Sequence, residues 1–297
     1  MTGARGFVGS ALVKDLSSKG WRVASSPMRL LQEPDKWRAA MQSVDSVVHL
    51  AARVHRMGAD ANDEAAFNTL NVEGSRFVAQ QAANAGVRRF IFLSSVKVNG
   101  EGRERPYLPD DPPDPRDAYG RSKWAAERAI REVCDSAGME YVAIRPPLIY
   151  GPGVKANFRR LLKLVDYGIP LPLASVANRR SMVGLSNLID FIELCMVHPI
   201  ASGGTWFVAD EEAVSTPQLL RKLATHMQRP ARLMRFPPAW LHKLAAALNL
   251  QGEVDRLCGS LQINSEESRA KLQWLPRHSL DEELASTVAA YRAEAMG

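Results

Sequence analysis

Apolar positions along the chain repeat with two different periods. Phe7, Val8, Leu12, Val13 and Leu16 stand at helical spacing behind a glycine-rich start and predict an amphipathic helix ending near Gly20. Trp21 to Ala24 reads as a short strand. Val44 to Leu50 (VDSVVHL) is a brief, β-branched apolar run of the kind that forms a strand covered on both faces. A helix is expected over 64–86 and a strand over Arg89 to Ser94 (RFIFLS). A proline-rich loop from Arg105 to Pro115 follows, then a helix over 119–137 and a strand from Tyr141 to Arg145. Strands alternating with helices specify an α/β fold built on a doubly wound parallel sheet.

After Pro146 the alternation loosens. Helices are expected over 157–167, 188–197, 217–227, 239–248 and from Leu280 onward, with Thr216 as the cap of the third and Pro217 at its first position. Thr205 to Ala209 (TWFVA) reads as a strand. There is no internal repeat, so residues 151–297 are expected to form a smaller lobe with segments that return to the sheet of residues 1–150. Only Met1 and Thr2 precede the glycine turn. The strand that would ordinarily feed it is therefore expected to be truncated, through either a miscalled start or an eroded nucleotide half. No strand is evident between Arg29 and Asp45.

Composition narrows the function classes. Of 297 residues, 46% are hydrophobic and 24% charged, an ordinary globular balance. No apolar run approaches the ~18 residues of a membrane span. Cys134, Cys195 and Cys258 are too dispersed for a disulfide framework or a metal site and read as reduced thiols of a cytoplasmic protein. The net charge of +6 favours an anionic partner. The cations are scattered and no nucleic-acid recognition motif is present, so an anionic small molecule fits better than nucleic acid.

Two constellations carry chemistry. Gly3, Gly6 and Gly9 open the first helix, where small residues let backbone N–H groups approach a pyrophosphate. Ser94-Ser95 ends a strand, and Tyr119 and Lys123 follow as an i, i+4 pair on one helix face. A phenol is a weak base at neutral pH, and a neighbouring ammonium is expected to acidify it. Tyr119 could then take a proton from an alcohol while Ser95 holds its oxygen. His49 and His55 read as structural or surface residues.

In order along the chain, TGARGFVG (2–9), VDSVVHLAA (44–52), NVEG (71–74), FLSSVKVNG (92–100), YGRSK (119–123), RPPLIYGPG (145–153), RRSMVGLSNL (179–188) and the tail motif LQWLP…SLDEEL (272–284) resemble the extended short-chain dehydrogenase/reductases. Within them, the likeness is to the NAD-dependent epimerase/dehydratase group acting on nucleotide sugars. The resemblance implies a Rossmann-type nucleotide-binding domain over 1–150 and a UDP-sugar lobe over 151–297. It places Gly3, Gly6, Phe7, Gly9, Leu50, Ala51, Ala52, Ser94, Lys123 and Pro146 at the dinucleotide. It assigns Ser95, Tyr119 and Lys123 to catalysis, Asn71 to the scaffold, and Ser95, Tyr119, Asn157, Arg180 and Arg256 to the substrate. The Asp-Glu pair of the family's 4,6-dehydratases is replaced by Val96 and Lys97, which argues against elimination of water. Arg29 stands where an acidic residue would grip the adenosine ribose, so NADP is possible beside NAD. The implied activity is hydride transfer at C4 of a UDP-hexose in surface-polysaccharide synthesis, by a homodimer that resembles a UDP-glucose 4-epimerase. A one-way 4-ketoreductase of a UDP-4-keto-6-deoxy-N-acetylhexosamine and a catalytically silent nucleotide-binding protein stay open beside it.

Overall fold

The computed structural model describes residues 1–26, 33–54, 63–237, 240, 241, 243, 246 and 251–296. Four parallel strands form the central sheet, side by side in the order β1 (Ser46–His49), β2 (Arg89–Leu93), β3 (Glu140–Arg145) and β6 (Thr205–Phe207). Val48 lies opposite Ile91, Ile91 opposite Val142, and Ile144 opposite Trp206. Parallel neighbours need long crossovers, and helices fill them.

Alternation along the strands sorts side chains into two cores. Ile91, Val142 and Ile144 pack on α1 (Phe7–Ser18) and α7 (Leu185–Val197), where Cys195 is also buried. Phe90, Phe92, Tyr141 and Ala143 face the opposite layer. That layer holds α2 (Pro34–Met41), α4 (Gly74–Asn84) and α5 (Ala118–Ala137), with Cys134 inside it. The sheet is therefore covered on both faces, as its apolar strands require.

Several expectations are corrected. The strand before the glycine turn is a single bridge: Thr2 donates its N–H to the Val48 carbonyl (3.1 Å) and accepts from the Leu50 N–H (3.4 Å). Residues 21–24 form no strand: the Trp21 N–H turns back to the Leu16 carbonyl (3.0 Å), and the Ala24 carbonyl accepts from the Met1 amino group (2.6 Å). The helix expected over 64–86 is α3 (Glu64–Phe67), a π-helical turn (Asn68–Glu73) and α4. α8 (Thr216–His226) is capped by Ser215, which forms a capping box with Gln218, and not by Thr216. Thr216 instead donates its hydroxyl to the Leu257 carbonyl at 2.5 Å. Of the helix expected over 239–248, Trp240, Leu241, Lys243 and Ala246 are described and are helical; its other positions lie outside the described residues, as does Arg29.

The second half adds a small parallel pair, β4 (Leu148–Tyr150) and β5 (Met182–Gly184). A separate core lies beside it, made by α6 (Ala156–Asp166), α8 and the helix Leu280–Met296 around Phe158, Leu162, Leu223 and Leu284. Phe7 packs against this core and against the α1 layer. No described helix is long and apolar enough to cross a membrane.

Candidate active site

Because all sheet strands run the same way, their C-terminal ends deliver Leu50–Ala52, Ser94–Ser95 and Pro146 to one edge. The glycine turn sits there too. Gly3 has φ of +70°, and a Cβ on it would meet the Ala51 nitrogen at 2.7 Å. A Cβ on Gly9 would lie 2.1 Å from the Gly3 carbonyl oxygen. The turn is thus closed tightly on itself and on the 50–52 segment. Gly6 is the N-cap of α1 and brings no side-chain cap. A glycine cradle at the positive end of a twelve-residue helix suits a pyrophosphate, so these residues fit the expected dinucleotide.

Ser95 begins a short 3-10 turn (Val96–Val98), and its Oγ accepts the Lys97 N–H at 3.3 Å. The Tyr119 phenol lies near enough to the same hydroxyl to feel its influence. Tyr119 lies in the first turn of α5, which Asp117 caps by accepting the Gly120 N–H at 2.7 Å. The Phe67 ring meets Tyr119 edge-on at 6.3 Å. One turn further, buried Lys123 holds its ammonium 4.1 Å from the centre of the Phe92 ring. The structure therefore brings Ser95, Tyr119 and Lys123 together.

Their electrostatics differ from the sequence expectation. Burial pushes the Tyr119 phenol up to about 12, helped by the Asp117 charge and opposed by the Ser95 hydroxyl. Burial pulls Lys123 down to about 7, opposed by Glu127. Desolvation of both groups thus outweighs the expected acidification of the phenol by the ammonium.

A buried network backs this centre. Ser94, expected at the cofactor, turns inward and donates its hydroxyl to Glu127. Arg145 grips the same carboxylate through Nε (2.9 Å) and Nη2 (2.6 Å), and its Nη1 reaches Asn99 Oδ1 at 3.1 Å. The Pro146 carbonyl accepts the Val96 N–H at 3.0 Å and so fixes the turn after Ser95. Asn71, on the π-helical turn, accepts the Arg53 N–H (2.7 Å) and donates to the Ser122 hydroxyl (2.9 Å), tying the segment after β1 to α5. His49 is buried between the hydroxyls of Thr2 (2.7 Å) and Ser75 (2.9 Å). Burial lowers it to about 3, so it is neutral, as a structural histidine should be. His55 lies outside the described residues.

The substrate candidates are more dispersed. Asn157 is exposed at the start of α6. Arg180 is partly buried, and its Nη1 donates to the carbonyls of Arg256 (3.0 Å) and Gly259 (2.9 Å). Arg256 donates Nε to the Gly252 carbonyl at 2.7 Å. Sequence reasoning missed Asn178, which joins α8 to the 257–259 segment through Thr216 and the Leu257 and Gly259 carbonyls. It also missed the Glu127–Arg145 pair, although a charge at i+4 from Lys123, on the same helix face as Tyr119, was a usable signal. A cavity of about 440 Å³ between α2, β1 and residues 19–26 is lined by none of Ser95, Tyr119 or Lys123. Among the described residues no group of side chains has the makings of a metal site.

Comparisons with known proteins follow this geometry. The sequence model of the NAD dependent epimerase/dehydratase family matches residues 1–167. A UDP-glucose 4-epimerase of Vibrio cholerae is 38% identical over 310 residues, covering 98% of this chain and 94% of that protein. The N-acetyl-α-D-glucosaminyl-diphospho-ditrans,octacis-undecaprenol 4-epimerase of Escherichia coli O157:H7 is 28% identical, covering 80% of this chain and 74% of its own. Among solved structures, the UDP-glucose 4-epimerase of Thermotoga maritima with UDP-glucose superposes with a TM-score of 0.81. It covers 99% of this chain and 98% of its own at 19% identity, a likeness of fold.

Proposed function

The chain belongs to the NAD-dependent epimerase/dehydratase family, and on that premise we propose that it is a 4-epimerase of UDP-hexoses. The observation that carries this reading is the meeting of Ser95, Tyr119 and Lys123 at the strand ends beside the glycine turn. The 38% identity with a UDP-glucose 4-epimerase along nearly the whole chain supports the choice of substrate class.

When bound, a nicotinamide dinucleotide would accept the hydride that leaves C4 and return it. Gly3, Gly6 and Gly9 would hold its pyrophosphate, with Phe7, Leu50, Ala51 and Ala52 along it. Tyr119 Oη takes the proton of the C4 hydroxyl as the C4–H bond is broken. It gives a proton back when hydride is restored to the other face of the sugar. Ser95 holds the C4 oxygen through both half-steps. Lys123, one helical turn from Tyr119, would bind the cofactor ribose, and in its protonated form it would favour the phenolate. Arg180, Arg256 and Asn157 face the diphosphate in this reading. Val96 and Lys97 supply no acid–base pair for loss of water.

The test is direct. Purified protein should release a nicotinamide dinucleotide on denaturation and convert UDP-glucose to UDP-galactose with none added. Turnover only of a 4-keto sugar with added NADPH would make it the one-way reductase. Failure to bind any dinucleotide would leave a silent binding protein.

A further inference from the structure

We propose that Lys97 is a positioning residue for this centre: its ammonium clamps the start of α5 to the turn that carries Ser95 and neutralises Asp117 beside the Tyr119 phenol. The proposal rests on the reading of Tyr119 as the proton-transferring group.

Lys97 is two residues beyond Ser95, and its side chain leaves the turn toward α5, where it donates to Asp117 Oδ2. It also donates to Glu101 Oε1 at 2.9 Å, one helical turn along its own segment. Asp117 has two jobs at once. Oδ1 caps α5 through the Gly120 N–H, while Oδ2 receives Lys97. The backbones are close as well, since a Cβ on Gly120 would lie 2.7 Å from the Lys97 carbonyl oxygen. The Lys97 ion pair thus joins the two pieces of chain that carry Ser95 and Tyr119.

The pair also matters electrostatically. Asp117 acts on Tyr119 from the start of its own helix and is held by Lys97, which also pairs with Glu101; Lys123 lies one turn further on, over Phe92, and the Arg53 guanidinium sits 5.7 Å from the centre of the Phe67 ring that packs on Tyr119. The Asp117 charge opposes ionisation of the phenol. An ammonium bonded to Asp117 cancels much of that opposition without occupying space where a sugar would lie. Burial works against its charge, but the hydrogen bonds that Lys97 donates to both carboxylates keep it protonated. Its ties to Asp117 and Glu101 give this lysine a task different from that of the acidic residues standing here in dehydratases.

Three variants separate the roles. Lys97→Met removes the charge and keeps the length. Lys97→Arg keeps the charge. Asp117→Asn keeps a helix cap, since Asn caps as well as Asp, and removes the charge it neutralises. The first readout needs no sugar: the ultraviolet phenolate titration of the dinucleotide-bound protein, with Tyr119→Phe as its blank. Lys97→Met should move the Tyr119 limb upward by about one pH unit, Lys97→Arg should restore it, and Lys97→Met/Asp117→Asn should bring it back. In epimerase assays Lys97→Met should lower kcat at neutral pH roughly tenfold with KM little changed, as one unit of phenol titration requires. A Lys97→Met limb that coincides with that of the unmodified protein would overturn the proposal, even if the variant melts earlier. So would failure of the double variant to recover. A shifted phenolate titration in a protein that does not turn over UDP-glucose would keep the positioning role and reject the substrate.

Discussion

In the proposed reaction a single hydroxyl, that of Tyr119, holds the proton that is moved. Tyr119→Phe leaves the ring against Phe67 and removes only that hydroxyl. Turnover should fall by about 10²–10⁴-fold, the usual weight of a positioned proton-transfer group, while UDP-sugar affinity by calorimetry stays nearly unchanged. Lys123 gives a second residue-level prediction. It titrates near 7 in the folded protein against an ordinary 10.5. Between those values the unfolded chain binds a proton that the folded one does not, so stability rises as pH increases from about 7 toward 10. Above 10 the raised Tyr119 titration acts with the opposite sign. Lys123→Met should flatten the rise of the thermal midpoint between pH 7 and 10. An unchanged slope would show that Lys123 is hydrated enough to stay charged.

At the scale of elements, the glycine turn is packed so tightly that only backbone can occupy it, as the proposed dinucleotide cradle requires. Gly9 has ordinary helical geometry, so its requirement for glycine is one of space: the Gly3 carbonyl occupies the place of a side chain. Gly9→Ala must open the turn. A loss of about 1–3 kcal/mol of stability is expected, with a larger loss of dinucleotide affinity, read by denaturant titration and fluorescence of the bound nicotinamide. Such elements were also what the sequence made most legible. Val44 to Leu50, Arg89 to Ser94 and Tyr141 to Arg145 declared buried strands by their apolar runs, and Tyr119 and Lys123 declared a shared helix face by spacing. What stayed hidden was set by side chains meeting across the fold. The inward turn of Ser94 depends on Glu127 and Arg145, 33 and 51 residues further along the chain, and no local pattern encodes that meeting. The π-helical turn at Asn68–Glu73 was equally invisible, since its sequence is compatible with an ordinary helix and only the Asn71 contacts with Arg53 and Ser122 explain its placement.

Across the whole molecule, the sheet and the second core meet where few residues belong wholly to either. Arg180 is one of these. Its backbone bridges Val214 and Leu261, and its guanidinium holds the carbonyls that end the helix Gln251–Cys258. If the same guanidinium also contacts a diphosphate, Arg180→Ala should weaken UDP binding by about 1.5–3 kcal/mol, the weight of a charge-assisted hydrogen bond. Unchanged affinity in titration calorimetry would confine Arg180 to holding the 256–259 carbonyls. The helices of this half were legible at 157–167, 188–197, 217–227 and from Leu280, whereas their packing was not, because their partners lie far away in sequence.

The two thiols sealed on opposite sides of the sheet have a practical consequence. Cys195 lies with α1 and α7, Cys134 with α4 and α5, and burial pushes both thiols far above the range in which they react. Each can be alkylated only when its own layer parts from the strands. Pulse labelling followed by peptide mass spectrometry therefore reads the breathing of each side separately. Saturation with dinucleotide should slow modification of Cys195 more than that of Cys134, because α1 carries the cradle.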